Sequence, residues 1–560
     1  MLRLVPPAIL LILIGPVAAG LLGILLPAAG YLPALGGEAL SPDPFRTLAA
    51  MPGLGTSVLL SFATGLAATA ISVLAVLLFV GGWFGTRTFR LLQRLVSPLL
   101  SVPHAAAAFA LALLIAPSGL PARLLSPWLT GWTSPPDLLI VNDQAGIAMT
   151  AGLVVKEIPF LLLMTLAALP QTRARERLEL MASLGYGRLA GFAVGVLPVL
   201  YGQLRLPVFA VLAYATSTVD VALVLGPTTP LPLAVRLLDW HADPDLAMRF
   251  VLAAGAILQL AVTAAAILAW VAVERVCRRL LAALAGAGRR GARDGIARAA
   301  GFLLVSVSAA SVLLGMAGLA LWSVAGPWRF PDALPQRFTL DVWVRAASGF
   351  QEAVGNALLI GAAASGIALA LVLAALENEY RTGIRAGLKA MVALYLPLVV
   401  PQAAFLFGLD LLATGTGLDG TLVALVLIHT VFVLPYVFLS LAEPWRSFDP
   451  RYAAVARSLG RGPDFVFWRI RLPVLLRPVL TALAVGFAVS VGLYLPTLIV
   501  GAGRWPTITT EAVALASSGD RRVIGATALV QALLPFLVFA FAAALPAFRF
   551  RHRRALRAAS

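Results

Sequence analysis

The stretch Glu179-Leu180-Met181-Ala182-Ser183-Leu184-Gly185, closed by Val196-Leu197-Pro198, has a second copy in the same chain. That copy runs Ala454-Val455-Ala456-Arg457-Ser458-Leu459-Gly460 and closes on Arg471-Leu472-Pro473, with the proline again thirteen residues past the glycine. The spacing predicts a short helix over 174–184. Leu178, Met181 and Leu184 recur every three residues as an apolar stripe, while Arg175, Arg177 and Glu179 fall on other faces. Tyr452, Val455 and Leu459 form a similar stripe in the second copy. Gly185 and Gly460 suit helix ends, where a left-handed residue is needed. An amphipathic helix with no covering domain of its own either docks on a partner or lies along a membrane surface. Both readings are open on these residues alone.

Working outward, more of the chain repeats. Pro159-Phe160 answers Pro435-Tyr436, Leu225-Gly226 answers Val500-Gly501, and Pro103-His104-Ala-Ala answers Pro401-Gln402-Ala-Ala. Between the copies, the Gly- and Arg-rich stretch 286–295 carries no apolar run and reads as a linker. The expected organisation is a first domain over 1–285, a linker over 286–299 and a second domain over 300–560. The duplicated loops fall at about 170–198 and 444–473. Two copies in the same orientation imply a pseudo-twofold axis along the membrane normal.

Composition supplies the membrane. Of 560 residues, 60% are apolar and 12% charged, against about 45–50% and about 25% in soluble domains. Mean hydropathy is +0.94. So few polar side chains cannot coat a soluble globule of this size, which excludes a soluble multidomain enzyme and a disordered scaffold. A bilayer needs about 20 apolar residues per helical span. That window selects twelve segments, near 7–29, 57–83, 97–116, 145–169, 203–226 and 248–273, then 301–326, 353–376, 390–409, 420–442, 474–500 and 523–547. The first runs too far past Ala18-Ala19 for a signal peptide and is read as a retained helix. Pro98, Pro103, Pro397 and Pro401 should kink the third and ninth spans, since each removes a backbone donor.

The net charge of +17 is almost all arginine, the only lysines being Lys156 and Lys389. Arginines crowd 84–96, 274–299, 443–473 and the tail (Arg549, Arg551, Arg553, Arg554, Arg557), while 227–247 and 410–419 are acidic. The positive-inside bias then predicts a multi-pass protein with both termini in the cytoplasm. The charge is topological, and no nucleic-acid partner is expected.

The duplicated loop resembles the E-A-A-x3-G-x9-I-x-L-P signature of permease subunits in binding-protein-dependent ABC importers. Glu179, Gly185, Leu197 and Pro198 match in the first copy, with Leu180 and Met181 replacing the alanines. Ala456, Gly460, Ile470, Leu472 and Pro473 match in the second, where Ala454 stands at the Glu position. The resemblance covers essentially the whole chain. It implies an all-α polytopic protein of the bacterial inner membrane with about twelve transmembrane helices, built as two fused type I permease domains. It also implies that Glu179, Ala182, Gly185, Leu197 and Pro198, with Ala454, Ala456, Gly460, Ile470, Leu472 and Pro473, couple to two copies of a cytosolic ABC ATPase. ATP and magnesium would be held by that partner, no cofactor by this chain, and solute would arrive from a periplasmic binding protein. Residues 101–110, 136–143 and 152–160 narrow the resemblance to fused permeases of the thiamine and ferric-iron type. Thiamine or a related cation is thus the implied solute, with ferric iron or a polyamine as alternatives.

Other residues bear on function. No G-x4-G-K-[S/T] loop exists, since Val155 precedes Lys156 and Leu388 precedes Lys389, so the chain is not itself the ATPase. The four histidines and single Cys277 give no catalytic triad or metal cluster, and no enzyme activity is expected. His104 and His429 read as packed or hydrogen-bonded residues. Lys156, Glu157 and Asp220 fall inside spans, where a charge costs roughly 2.5–3.5 kcal/mol on insertion scales and so must face protein or water. Neighbours on a helix diverge by about 100°, so the expected pair is Lys156 with Asp220. Such a pair is either structural or borders the solute path and favours a cation. A proton-coupled secondary transporter would also accommodate twelve helices and buried charges, and the duplicated signature argues against it.

Overall fold

The computed structural model describes residues 2–291, 293–517 and 519–549. The tail arginines Arg551, Arg553, Arg554 and Arg557, and residue 292 of the linker, lie outside the described residues. Among them, ten helices are long and apolar enough to cross a bilayer, and two bent pairs bring the number to twelve. Among the described residues no strand is formed beyond two isolated bridges.

The first half contributes α1 (Val5–Ala28), α2 (Leu54–Trp83), α3 (His104–Ile115), α4 (Ile147–Ala168), α5 (Leu197–Ser217) and α6 (Met248–Gly286). The second contributes α7 (Gly295–Ser323), α8 (Asp341–Thr382), α9 (Gln402–Thr416), α10 (Leu422–Arg446), α11 (Leu476–Gly492) and α12 (Arg521–Arg549). α6 ends at Gly286 and α7 begins at Gly295, both within the stretch read as a linker.

Proline placement breaks the third helix of each half. Residues 97–101 form a 3-10 turn, Val102 is extended, and α3 starts after Pro103. In the second half Leu388–Val399 and α9 meet at Val400-Pro401 with a bend of 84°. Two expected spans are also interrupted without proline at the break itself. α5 stops at Ser217, Thr218 is extended, and a short helix restarts over Asp220–Leu225. α11 stops at Gly492, Leu493 is extended, and the chain restarts over Leu495–Val500. The spans read as continuous over 203–226 and 474–500 are therefore broken at equivalent points. In the first, the Thr218 hydroxyl donates to Asp220 Oδ1 at 2.9 Å, a local bond that competes with helix continuation.

The first helix of each repeat reaches across to the other: α1 packs on α9 of the second half as well as on α6 of its own, and α7 packs on α2 and α3 of the first half as well as on α12. Glycine permits both crossings. A Cβ on Gly20 would overlap the Phe405 carbonyl oxygen, and one on Gly408 would overlap that of Gly20. At the equivalent crossing a Cβ on Gly315 would lie 2.7 Å from the Ala110 carbonyl oxygen. Without a hydrophobic force between helices in lipid, such close backbone approach supplies the attraction.

Candidate functional site

A cavity of about 470 Å³ opens between the two halves. Its walls pair the repeats residue by residue: Pro103-His104 with Pro401-Gln402, Phe160 with Tyr436, and Thr218-Val219-Asp220 with Leu493-Tyr494-Leu495. Phe160 and Tyr436 meet across the pseudo-axis with ring centroids 6.3 Å apart. The breaks in α3, α5, α9 and α11 are what bring backbone and polar side chains to this wall.

All the charge comes from the first half. Lys156, Glu157 and Asp220 line the cavity and are buried in the protein. The expected Lys156–Asp220 ion pair is not formed. Lys156 Nζ donates to the carbonyls of Leu99 at 3.1 Å and Leu100 at 3.3 Å. Those carbonyls belong to the 3-10 turn that ends before Pro103, where a broken helix leaves acceptors unpaired. Asp220 Oδ1 accepts instead from Tyr214 at 3.1 Å and Thr218 at 2.9 Å. Glu157, among the described residues, receives no hydrogen bond. The cation is thus solvated by backbone and one carboxylate by hydroxyls, while the Glu157 carboxylate has no hydrogen-bond donor and only the Lys156 ammonium as a charged neighbour. Tyr214, Gln402, Tyr436 and Tyr494 were not read from the sequence as site residues. The repeated Pro-x-Ala-Ala and Pro-aromatic pairs were the available signal for Gln402 and Tyr436.

His104 lies against Tyr214 with centroids 4.6 Å apart and the rings tilted by 47°, its Nδ1 without a hydrogen-bond partner. His429 is buried and bonded on both nitrogens, to Ser490 Oγ at 2.7 Å and Thr497 Oγ1 at 3.0 Å. It spans the α11 break. No group of three or more metal-ligating side chains occurs among the described residues.

The duplicated loops are built alike. The first holds helices Ala174–Ser183 and Arg188–Gly195, and the second opens with Pro450–Ser458. Gly185 (φ 82°) and Gly460 (φ 72°) are left-handed. Tyr186 N–H donates to Met181 O and Gly185 N–H to Ala182 O. Arg461 N–H to Ala456 O and Gly460 N–H to Arg457 O repeat the same pattern, a Schellman end in each copy. Asp449 caps the second helix by accepting from Arg451 N–H at 2.9 Å. Hydrogen bonds from Arg451 hold its carboxyl below the usual range.

The exposed face of the first loop differs from the stripe read in the sequence, and that of the second is the stripe itself. Met181 turns inward against Gly191 and Gly195, leaving Leu180 and Leu184 exposed. In the second loop Tyr452, Val455 and Leu459 are all exposed, while Ala453 and Ala456 pack on Val466. Glu179, Ala182, Ala454 and Pro198 are exposed, and Leu197, Ile470, Leu472 and Pro473 are half-buried. Glu179 is held by Arg175 at 3.0 Å on the surface. Arg471 is wholly buried, 2.5 Å from Glu377 of α8.

No protein-family profile matches the chain. It is 32% identical over 537 residues to the inner membrane ABC transporter permease protein YnjC of Escherichia coli (strain K12), covering 95% of this chain and 96% of the relative. It is 34% identical over 141 residues to the molybdenum transport system permease protein ModB of Mycobacterium tuberculosis, covering 24% of this chain and 53% of that relative.

Proposed function

The chain belongs to the inner-membrane permeases of ABC transporters, and from that premise we propose that it carries a small organic cation through the cavity between its halves, driven by an ATPase docked on the duplicated loops. The observation that carries the docking is the pair of loops with identical Schellman ends and exposed apolar side chains. Both loops lie at arginine-rich stretches, which the positive-inside bias assigns to the cytoplasm together with both termini. ATP-driven closure of two ATPase copies would draw the loops together. The halves would then rock about the pseudo-axis and open the cavity toward a periplasmic binding protein. Replacing the exposed side chains by charge, as in Leu184→Asp with Leu459→Asp, is expected to cut the ATPase retained on affinity purification by about tenfold or more. Unchanged retention would favour loops that only lie along the membrane.

The cation follows from the charge balance of the wall. Two carboxylates stand there against one ammonium, and since Lys156 and Asp220 already have hydrogen-bond partners, the group left to meet a solute is Glu157, flanked by Phe160, Tyr214 and Tyr436. A carboxylate among aromatic rings suits an ammonium or aromatic cation. ModB is named for molybdenum transport, and a wall whose net charge is negative does not suit an oxyanion. Thiamine fits this chemistry and the sequence resemblance, with a polyamine or ferric ion as competing cargoes. Glu157→Gln is expected to raise the half-saturating thiamine concentration for uptake about tenfold to a hundredfold, the value of a charged hydrogen bond. Asp220→Asn should move it less, because Asp220 already accepts from two hydroxyls. Unaltered uptake in Glu157→Gln would sink the cation reading.

A further inference from the structure

Two fully buried glutamines, one in the last helix of each half, hold the broken helices that wall the cavity. A helix that stops leaves its final carbonyls without amide partners. In α5 and α11 the carbonyls two residues before the break are Thr216 O and Val491 O. They are equivalent in the repeat, set at the same spacing as Gly185 and Gly460. Gln259 of α6 donates through Nε2 to Thr216 O at 3.1 Å. Gln531 of α12 donates to Thr509 Oγ1 at 2.9 Å, and that hydroxyl donates to Val491 O. The first half connects directly, the second through a threonine, and the carbonyl served is the same.

Neither amide sits there for its own stability. Gln259 Oε1 and Gln531 Oε1 are both buried without a hydrogen-bond partner, a costly arrangement that an apolar side chain of equal shape would avoid. What each retains is its donor. From Thr216 the chain runs two residues to Thr218, whose hydroxyl fixes Asp220 Oδ1, and Asp220 lines the cavity. From Val491 it runs to Leu493 and Tyr494, which line it opposite and carry no charge.

We propose that Gln259 and Gln531 are positioning residues of the solute path, each pinning the broken segment of its own half, with Gln259 setting the Asp220 carboxylate. The inference rests on the cavity being that path. Its test uses the full chain in lipid nanodiscs and the near-isosteric Gln259→Met and Gln531→Met variants, which keep volume and lose the donor. Hydrogen–deuterium exchange in Gln259→Met should accelerate about tenfold over 217–225 and stay unchanged over 492–500. Gln531→Met should give the converse. Acceleration spread over both halves, as lost packing would cause, or none at either break, overturns the proposal. In proteoliposomes with the ATPase and radiolabelled thiamine as probe, Gln259→Met should raise the half-saturating concentration about threefold, no more than Asp220→Asn does, at a nearly constant maximal rate, and Gln531→Met less. A fall in maximal rate alone, or equal shifts in both variants, contradicts it. Should the unsubstituted permease fail to carry thiamine, that result counts against the substrate reading, and the exchange measurement still decides this one.

Discussion

Glu377→Leu is expected to destabilise the permease by about 3–5 kcal/mol, the cost of leaving a buried charge without its partner. Arg471 is wholly buried within the second duplicated loop, where its Nη1 lies 2.5 Å from Glu377 Oε2. Its Nε and Nη2 have no hydrogen-bond partner, so compensation comes from Glu377 and from the ring of Tyr380, 3.3 Å beneath the guanidinium. Glu377 also accepts from Arg381 at 2.8 Å, and Arg381 reaches Asp464 at 2.7 Å, so the end of α8 is tied to the loop by a short ionic chain. Removing the carboxylate strands Arg471. Removing both, as in Glu377→Leu with Arg471→Met, should restore most of the stability, because a packed apolar pair replaces the ions at little cost. The double variant would still lack the tie between α8 and the loop. It is therefore expected to fold, bind ATPase and transport poorly. Unfolding titrations in mixed detergent micelles read the stabilities, and a Glu377→Leu variant within about 1 kcal/mol of the unsubstituted chain would refute the burial argument.

Gly408→Leu should be as damaging for a different reason. The Gly408 Cα faces the Gly20 carbonyl oxygen at a separation that leaves no room for a Cβ, and the obstacle is backbone that cannot swing aside. Forcing a leucine between α1 and α9 should cost about 3 kcal/mol or more, at the upper end of overpacking. α1 would come away from the second half. A leucine at Gly366 of α8, where nothing lies within 4 Å, is the matched control and should be tolerated. Disulfide trapping between cysteines placed on α1 and α9 would report the separation directly. Retained trapping with unchanged stability in Gly408→Leu would contradict the crossing.

Much of this architecture was legible because it is duplicated. Glycine and Leu-Pro at matched spacing located both loops, and the shared left-handed ends follow from the glycines themselves. Proline pairs located the breaks before α3 and α9. The breaks in α5 and α11 escaped because the apolar windows 203–226 and 474–500 run across them, although Thr216-Ser217-Thr218 and Pro496 mark the places. The reach of α1 and α7 across to the other half is a tertiary choice. Glycines such as Gly20 and Gly408 occur throughout these helices, and nothing local says which will meet a backbone. Lys156 and Asp220 were read as partners on charge alone, and the free carbonyls of a 3-10 turn outcompeted the carboxylate. Gln259 and Gln531 left a signal that could have been used: an amide inside the last apolar span of each copy.

The most direct test of the account is the energy source. Proteoliposomes containing the permease, its ATPase and the binding protein should take up radiolabelled thiamine only when ATP reaches the ATPase, and a proton gradient alone should drive none. Parallel vesicles with a polyamine or ferric ion identify the cargo if thiamine is not carried. Uptake driven by a proton gradient in vesicles that hold the permease without the ATPase would contradict the account.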